Sequence, residues 1–295
     1  MSTAEMTSPR TSADVPATPP EPVRLKTVIE PPRGWLRLNL EEVWRYRDLL
    51  SLLIWRDLSA RYRQSVVGYG WAFIKPIVSV LIFAMVFGGL AGLPSDGVPY
   101  PLFALAALIP WTYFSASLMG VSTSVTNGGH LLTKVYFPRL ILPLSSLGAG
   151  LADLGLQLLL VFGFMAFYGF APSWPLLLLP LFTLYVVVAS LAFGLWLTAL
   201  NVRYRDVGHA VPFLLQAWMW LSPVVYSSSL VPAKWRWLYA INPLVGIIDG
   251  FRWCLLNTAP PDGMALLISM ATVILTLLGG LMYFRHQEAT FADII

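Results

Sequence analysis

The stretch PLLLLPLFTLYVVVASLAFGLWLTAL, residues 175–200, runs from Pro175 to Leu200 without a charged side chain. Crossing a bilayer as a helix takes about 20 predominantly apolar residues, and this stretch is longer than that. In hydrocarbon every backbone N–H and C=O must be paired within the chain, which admits only helices or closed barrels. Barrel strands alternate apolar and polar residues over about ten positions, and no such alternation runs through 175–200. The stretch reads as a membrane-spanning helix, and it sets the fold class: an all-α polytopic membrane protein.

Similar runs lie at 69–91, 100–126, 141–170, 208–226 and 264–284, giving six spans, of which 208–226 is the shortest. Composition agrees, with 57% hydrophobic and 12% charged residues and a mean hydropathy of +0.69. A water-soluble domain carries roughly 25% charged residues to cover its surface. The single cysteine, Cys254, excludes an internal disulfide.

Residues 1–34 are polar and rich in Pro, Ser and Thr, without the apolar core of a signal peptide, and read as a disordered cytoplasmic tail. An amphipathic interface helix is expected over 35–67, and a transmembrane domain over 68–290. In the helix, Leu49, Leu50, Leu53, Ile54, Leu58 and Tyr62 fall at i+3/i+4 spacing. Arg45, Asp48, Arg56, Ser59 and Arg63 follow the other face, which Leu52 and Trp55 interrupt. Such a basic, aromatic-bearing helix suits a membrane surface, although packing on a protein partner would produce the same pattern.

Between the last two spans, SSSLVPAKWRWLYAINPLVGIIDGFRWCLLNTAPPDG (227–263) holds two apolar stretches, 235–241 and 244–256, separated by Asn242-Pro243. Each is too short to span. They read as two short re-entrant helices broken by Pro243. Lys and Arg are concentrated in alternate connections: Lys134, Arg139, Arg203, Arg205 and Arg285, with ten more before the first span. By the positive-inside tendency those connections and both termini are cytoplasmic.

Catalytic patterns are missing. There is no GxxxxGKS or GxxxxGKT phosphate loop, and His130, His209 and His286 lack metal-ligand spacing. Asp153 is the main carboxylate within a span, too little for a carrier coupled to ions or protons. Lys75, next to Pro76, either snorkels to the headgroups or lines a hydrophilic path. Trp71, Trp111, Tyr113, Trp174, Trp235 and Trp237 fit an interfacial aromatic belt. Phe73, Phe114, Trp218, Trp220 and Tyr226 lie deeper, where aromatic faces and the Trp N–H or Tyr O–H suit sugar rings in a channel. The hydroxyl run Ser115 to Thr126 reads first as close helix packing, with a polar stripe along a path as the alternative.

Four motifs in order carry a resemblance: RDLSARYRQSVVGYGWAFIKPI (56–77), LLTKVYFPRLILP (131–143), NVRYRDV (201–207) and SPVVYSSSLVPAKWRWLYAINPL (222–244). Over roughly 40–290 the chain resembles the permease subunits of ABC-type polysaccharide exporters, the Wzm, KpsM and TagG group. The resemblance implies a homodimer in the bacterial inner membrane, bound to two copies of a separate ABC ATPase. That subunit would carry the ATP and Mg, leaving this chain with no cofactor and no enzymatic activity of its own. The substrate implied is a polysaccharide on a polyprenyl diphosphate; membrane lipid is a partner and nucleic acid is not.

The resemblance also assigns roles. Thr133, Lys134, Tyr136, Phe137, Pro138 and Arg139 match a helix that couples to the ATPase, with Tyr136 and Phe137 as aromatic knobs and Arg203, Arg205 and Asp206 as secondary contacts. Arg56, Arg61 and Arg63 would attract the lipid diphosphate, or else anchor to anionic lipid. Trp235, Trp237, Asn242 and Pro243 belong to the gate segment. O-antigen, capsule and teichoic acid exporters share these motifs; a drug or lipid exporter of like architecture, a secondary transporter and a membrane transferase are the rival readings.

Overall fold

The computed structural model describes residues 40–62, 67–132, 134–204 and 206–288. The tail at 1–34 lies outside them, as do Arg63, Thr133 and Arg205. All regular elements among the described residues are helical. The expected interface helix is two pieces, α1 (Leu40–Arg45) and α2 (Arg47–Tyr62), followed by α3 (Trp71–Phe83), which continues as a π-helical stretch over Ala84–Leu90. Then come α4 (Tyr100–Asn127), the single turn α5 (Gly129–Leu132), α6 (Ile141–Tyr168), α7 (Leu179–Arg203) and α8 (Asp206–Trp220). Two short helices, α9 (Arg236–Tyr239) and α10 (Pro243–Leu256), precede α11 (Gly263–Glu288).

Among the described residues five segments are long and apolar enough to cross a membrane: Gly68–Leu90, Tyr100–Asn127, Ile141–Tyr168, Trp174–Arg203 and Gly263–Glu288. The sixth expected span, 208–226, is the exception. Its helix α8 has 15 residues, or about 22 Å at 1.5 Å per residue against a hydrocarbon core of about 30 Å. Pro223 lies just beyond its end, and the residue before a proline disfavours helical geometry, so 221–227 continues as turns.

Helix α4 is the post around which the others stand. Its most apolar stretch is 78% buried, against 11% for that of the first span. Small residues make this possible: Ala104, Ala106, Ala107, Ser117 and Ser122 are all buried, letting neighbouring backbones approach closely. The hydroxyl run is part of this packing. Ser122 and Ser124 donate to the carbonyls of Met119 and Val121 at 2.8 and 2.7 Å. Helix α7 reaches the same stretch through Thr198 Oγ1, 2.6 Å from the Val121 carbonyl, and Asn201 Nδ2, which donates to the Ser122 carbonyl at 3.0 Å. Ser115, Thr123 and Thr126 likewise bond carbonyls of their own helix, those of Thr112, Met119 and Thr123.

Helix α2 turns its apolar face onto α6, with Leu53 buried and Ile54 against Gly148. Protein thus occupies the face that the sequence offered to either lipid or a partner. Trp44, Leu52 and Trp55 stay exposed. The break between the two expected short helices falls where predicted. Asn242 caps α10, its Oδ1 accepting from Leu244 N at 3.1 Å, and Pro243 takes the first helical position, where the missing N–H costs nothing.

Gly250 in α10 sits directly on the buried Phe182 of α7, and a Cβ there would overlap the ring. Gly250→Ala is therefore expected to destabilise by roughly 1–3 kcal/mol. A lowered midpoint of heat-induced aggregation in detergent, restored by adding Phe182→Leu, is the measurement.

Candidate functional site

Three places bring together the residues singled out above. The first is the loop between α5 and α6. Within the expected coupling segment, 128–139, the described helical part is the single turn of α5, after which the chain makes a turn at Lys134 and runs without regular structure through 136–138. Lys134, Val135 and Tyr136 are exposed. Phe137 is the correction: at 4% exposure it is no knob but a plug, in a cluster with Leu53 of α2, Val125 of α4, Ile141 of α6, Leu195 of α7 and Phe284 of α11. Pro138 and Arg139 are half-buried beside it. Burial, then the carboxylates of Glu42 and Glu288, hold the Tyr136 phenol above its ordinary range. Helix α1, this loop and the end of α11 therefore converge on one surface. In the next connection at this end, Arg203 is exposed, its guanidinium 5.4 Å from the Tyr204 ring, and the exposed Asp206 opens α8.

The second place is the end of α2. Arg56 pairs with its neighbour Asp57 at 2.8 Å. Arg61 Nη1 donates to Asp153 Oδ2 of α6 at 2.7 Å. The sequence singled out both residues but carried no sign that they meet across 92 positions.

The third place is the opposite end, where α8, α9 and α10 gather. Here the backbone after α8 is not helical, yet its carbonyls are paired in sequence. Arg252, 2% exposed, donates from Nη2 to Val224 at 3.1 Å and from Nη1 to Tyr226 at 3.3 Å, while Tyr100 Oη donates to Val225 at 2.6 Å. The same guanidinium lies over the Phe103 ring, 3.5 Å from its centroid, and Asp249 Oδ1 is 3.9 Å from Nη1. Burial draws Arg252 down to about 10, with Asp249 and Asp96 opposing it, so the cation persists at neutral pH. Two hydroxyls fasten the following turn: Ser227 donates to Asp96 Oδ2 at 2.7 Å and Ser228 to Asp249 Oδ2 at 2.6 Å. The sequence reading missed Arg252, Asp249 and Asp96 as a set. The available signal was an Asp and an Arg three apart inside an apolar helix.

Asn242 is the second hub of this end. Its Oδ1 accepts from Trp218 Nε1 at 3.0 Å as well as from Leu244 N, and its Nδ2 donates toward the Leu221 carbonyl and Ser222 Oγ at 3.1 and 2.9 Å. Trp218 is half-buried, in edge contact with Phe114 and Phe193 at 5.2 and 5.0 Å between ring centroids. Phe114 is another correction: fully buried, it has no surface to turn toward a channel. Tyr226 is half-buried, donating to the Trp220 carbonyl at 3.3 Å and accepting from Tyr239 Oη at 3.0 Å. Trp220 is exposed beside Phe87 of the first span. Phe73 is half-buried, and the exposed Lys75 holds its ammonium 6.0 Å from the Trp71 ring. Trp235 and Trp237 are exposed. A cleft of about 340 Å³ opens between Trp218, Leu221, Val231, Trp235, Leu238, Tyr239 and Asn242.

The sequence pattern of the family described as ABC-2 type transporter matches residues 48–256, from the first turn of α2 to the last residue of α10. The chain belongs to that family. Among similar proteins, the O-antigen export system permease protein RfbA of Myxococcus xanthus is 33% identical over 261 residues, covering 87% of this chain and 98% of that protein. RfbA of Klebsiella pneumoniae is 26% identical, covering 84% and 95%. The polysialic acid transport protein KpsM of Escherichia coli is 23% identical, covering 81% and 94%. The ABC-2 pattern thus takes in the loop, the Arg61–Asp153 pair and the whole Arg252 end, so all three places lie within the shared transporter unit.

Removing a buried partner from such a network strands the others, at roughly 3–5 kcal/mol for a charge. Arg252→Met is expected to lower thermal stability by that order. Arg252→Lys will not restore it, because an ammonium cannot span carbonyls two residues apart while stacking on Phe103. Asn242→Leu is expected to cost about 1–3 kcal/mol, read from the same melting measurement.

Proposed function

We propose that this chain is the membrane-spanning permease subunit of an ATP-driven exporter. It moves a polyprenyl-diphosphate-linked polysaccharide of O-antigen type from the cytoplasmic to the outer side of the inner membrane. The observation that carries the reading is the end-to-end similarity to RfbA of Myxococcus xanthus, 98% of which is covered, together with an interior that offers aromatic surface and few charges. Capsule, teichoic acid or another amphiphile of like architecture is the alternative cargo, favoured by the weaker similarity to KpsM.

In this reading the chain works as a homodimer, and two copies of a separate ABC ATPase supply ATP and Mg on the cytoplasmic side, where both termini lie. The ATPase meets Lys134, Val135 and Tyr136, with Arg203 and Asp206 as flanking contacts. Phe137 carries the motion inward, since it touches the cluster that joins α2, α4, α7 and α11. The diphosphate loads near Arg56 and Arg61. Sugar rings pass Trp220, Tyr226, Trp235 and Trp237 on the way out, and α9 and α10 form the exit gate. Aromatic faces hold a moving glycan through C–H contacts of modest strength, which suits a polymer that must slide.

The test is purification of the chain with its cognate ATPase and assay of hydrolysis with lipid-linked glycan added. Stable co-purification and stimulated hydrolysis are expected, and failure of both defeats the reading. Two neighbouring substitutions separate docking from packing. Tyr136→Ala is expected to weaken ATPase association at least tenfold while leaving the melting temperature of the permease unchanged. Phe137→Ala is expected to lower stability by about 3–5 kcal/mol, visible in the permease alone.

A further inference from the structure

Asp153 is the one charged residue of α6, twelve positions beyond Ile141, or about 18 Å along the axis. A carboxylate at such a place in a membrane helix is costly and is kept for a function or a partner. A partner among the described residues is Arg61 of α2, at 2.7 Å. One helical stretch earlier, Ile54 of α2 rests on Gly148 so closely that a Cβ would collide with it. Helices α2 and α6 thus lie together from Ile54–Gly148 to Arg61–Asp153, just before the chain turns into the first span.

The pair is not sealed. The Arg61 and Asp153 side chains keep 33% and 23% of their surface open, so another anion can approach the guanidinium. Arg56, one turn and a half earlier, is held by a single carboxylate as well, that of Asp57. A diphosphate offers more charge than one carboxylate and more oxygen acceptors for the forked donors of arginine. It is the stronger ligand for a guanidinium that stands ready but neutralised. The first span, to which α2 leads, is the least buried of the five, at 11%, with Pro76 and Val80 as its sealed positions.

We propose that Asp153 is the resting counter-ion of Arg61. A diphosphate headgroup displaces it, so that arrival of the substrate releases α2 from α6 and frees the first span to move. This rests on the reading that the chain loads a lipid diphosphate. Asp153 acts as a positioning residue: it holds Arg61 in place and sets how strong an anion must be to take it.

The experiment uses the permease–ATPase complex in phosphatidylethanolamine vesicles, with Ile54→Cys and Gly148→Cys reporting the α2–α6 contact by their rate of crosslinking. Undecaprenyl diphosphate is expected to slow crosslinking several-fold, while phosphatidylglycerol and free pyrophosphate leave it unchanged. Asp153→Asn is expected to bind undecaprenyl diphosphate several-fold tighter, since the competing carboxylate is gone, and to crosslink slowly even without it. The neutral pair Arg61→Gln with Asp153→Asn is expected to keep the contact and lose the response to lipid. If that double variant responds as the parent does, or if Asp153→Asn binds no tighter, the pair is structural and the proposal falls. If the parent binds undecaprenyl diphosphate without any change in crosslinking, release alone is overturned. If the parent does not bind it at all, the transport reading falls with it.

Discussion

Where a chain leaves helical geometry away from water, each freed backbone carbonyl needs a donor supplied by some other part of the molecule. Residues 221–227 are the test of this constraint. Pro223 stops α8 short, and a run of carbonyls follows that no helix satisfies. Asn242 serves Leu221, Arg252 serves Val224 and Tyr226, and Tyr100 serves Val225. The donors come from α4 and from the start and end of α10. Meeting one local requirement therefore ties the central post, the broken segment and the short helix α8 into one unit.

A guanidinium is the side chain suited to this position. Its planar fork reaches carbonyls two residues apart, and its face stacks on Phe103 at 3.5 Å. Burying it is costly, and Asp249, Asp96 and two serine hydroxyls arrange the surrounding charge. An end built this way is stiff in one arrangement, because its donors are already committed. Movement there must either carry α10 and the 221–227 strip together or exchange one set of partners for another.

The other end is built differently. Its core is apolar, with Phe137 plugged among five helices, and charged groups lie around the rim. Apolar packing is less directional than hydrogen bonding, so this end tolerates small shifts of α2 and the loop without leaving groups unpaired. Hydrogen bonding at the Arg252 end and apolar, charge-rimmed packing around Phe137 give the permease a firm end and a compliant end.

The sequence by itself determined the helical class, the five long spans, the Asn242-Pro243 break and the apolar face of α2. Each depends on local composition and period, and hydrocarbon permits few alternatives. The weakness of 208–226 was visible as shortness, while its end at Trp220 followed from Pro223 and the capture of the carbonyls beyond it. Only the tertiary structure decided that Phe137 faces inward while Tyr136 faces out, that Phe114 is sealed behind Trp218, that Arg61 meets Asp153, and that Arg252 serves a strip some 26 residues before it. The physical reason is common to all four. In a chain apolar on nearly every side, periodicity no longer tells the protein-facing side of a helix from the lipid-facing one, so which residues meet is settled by which helices pack.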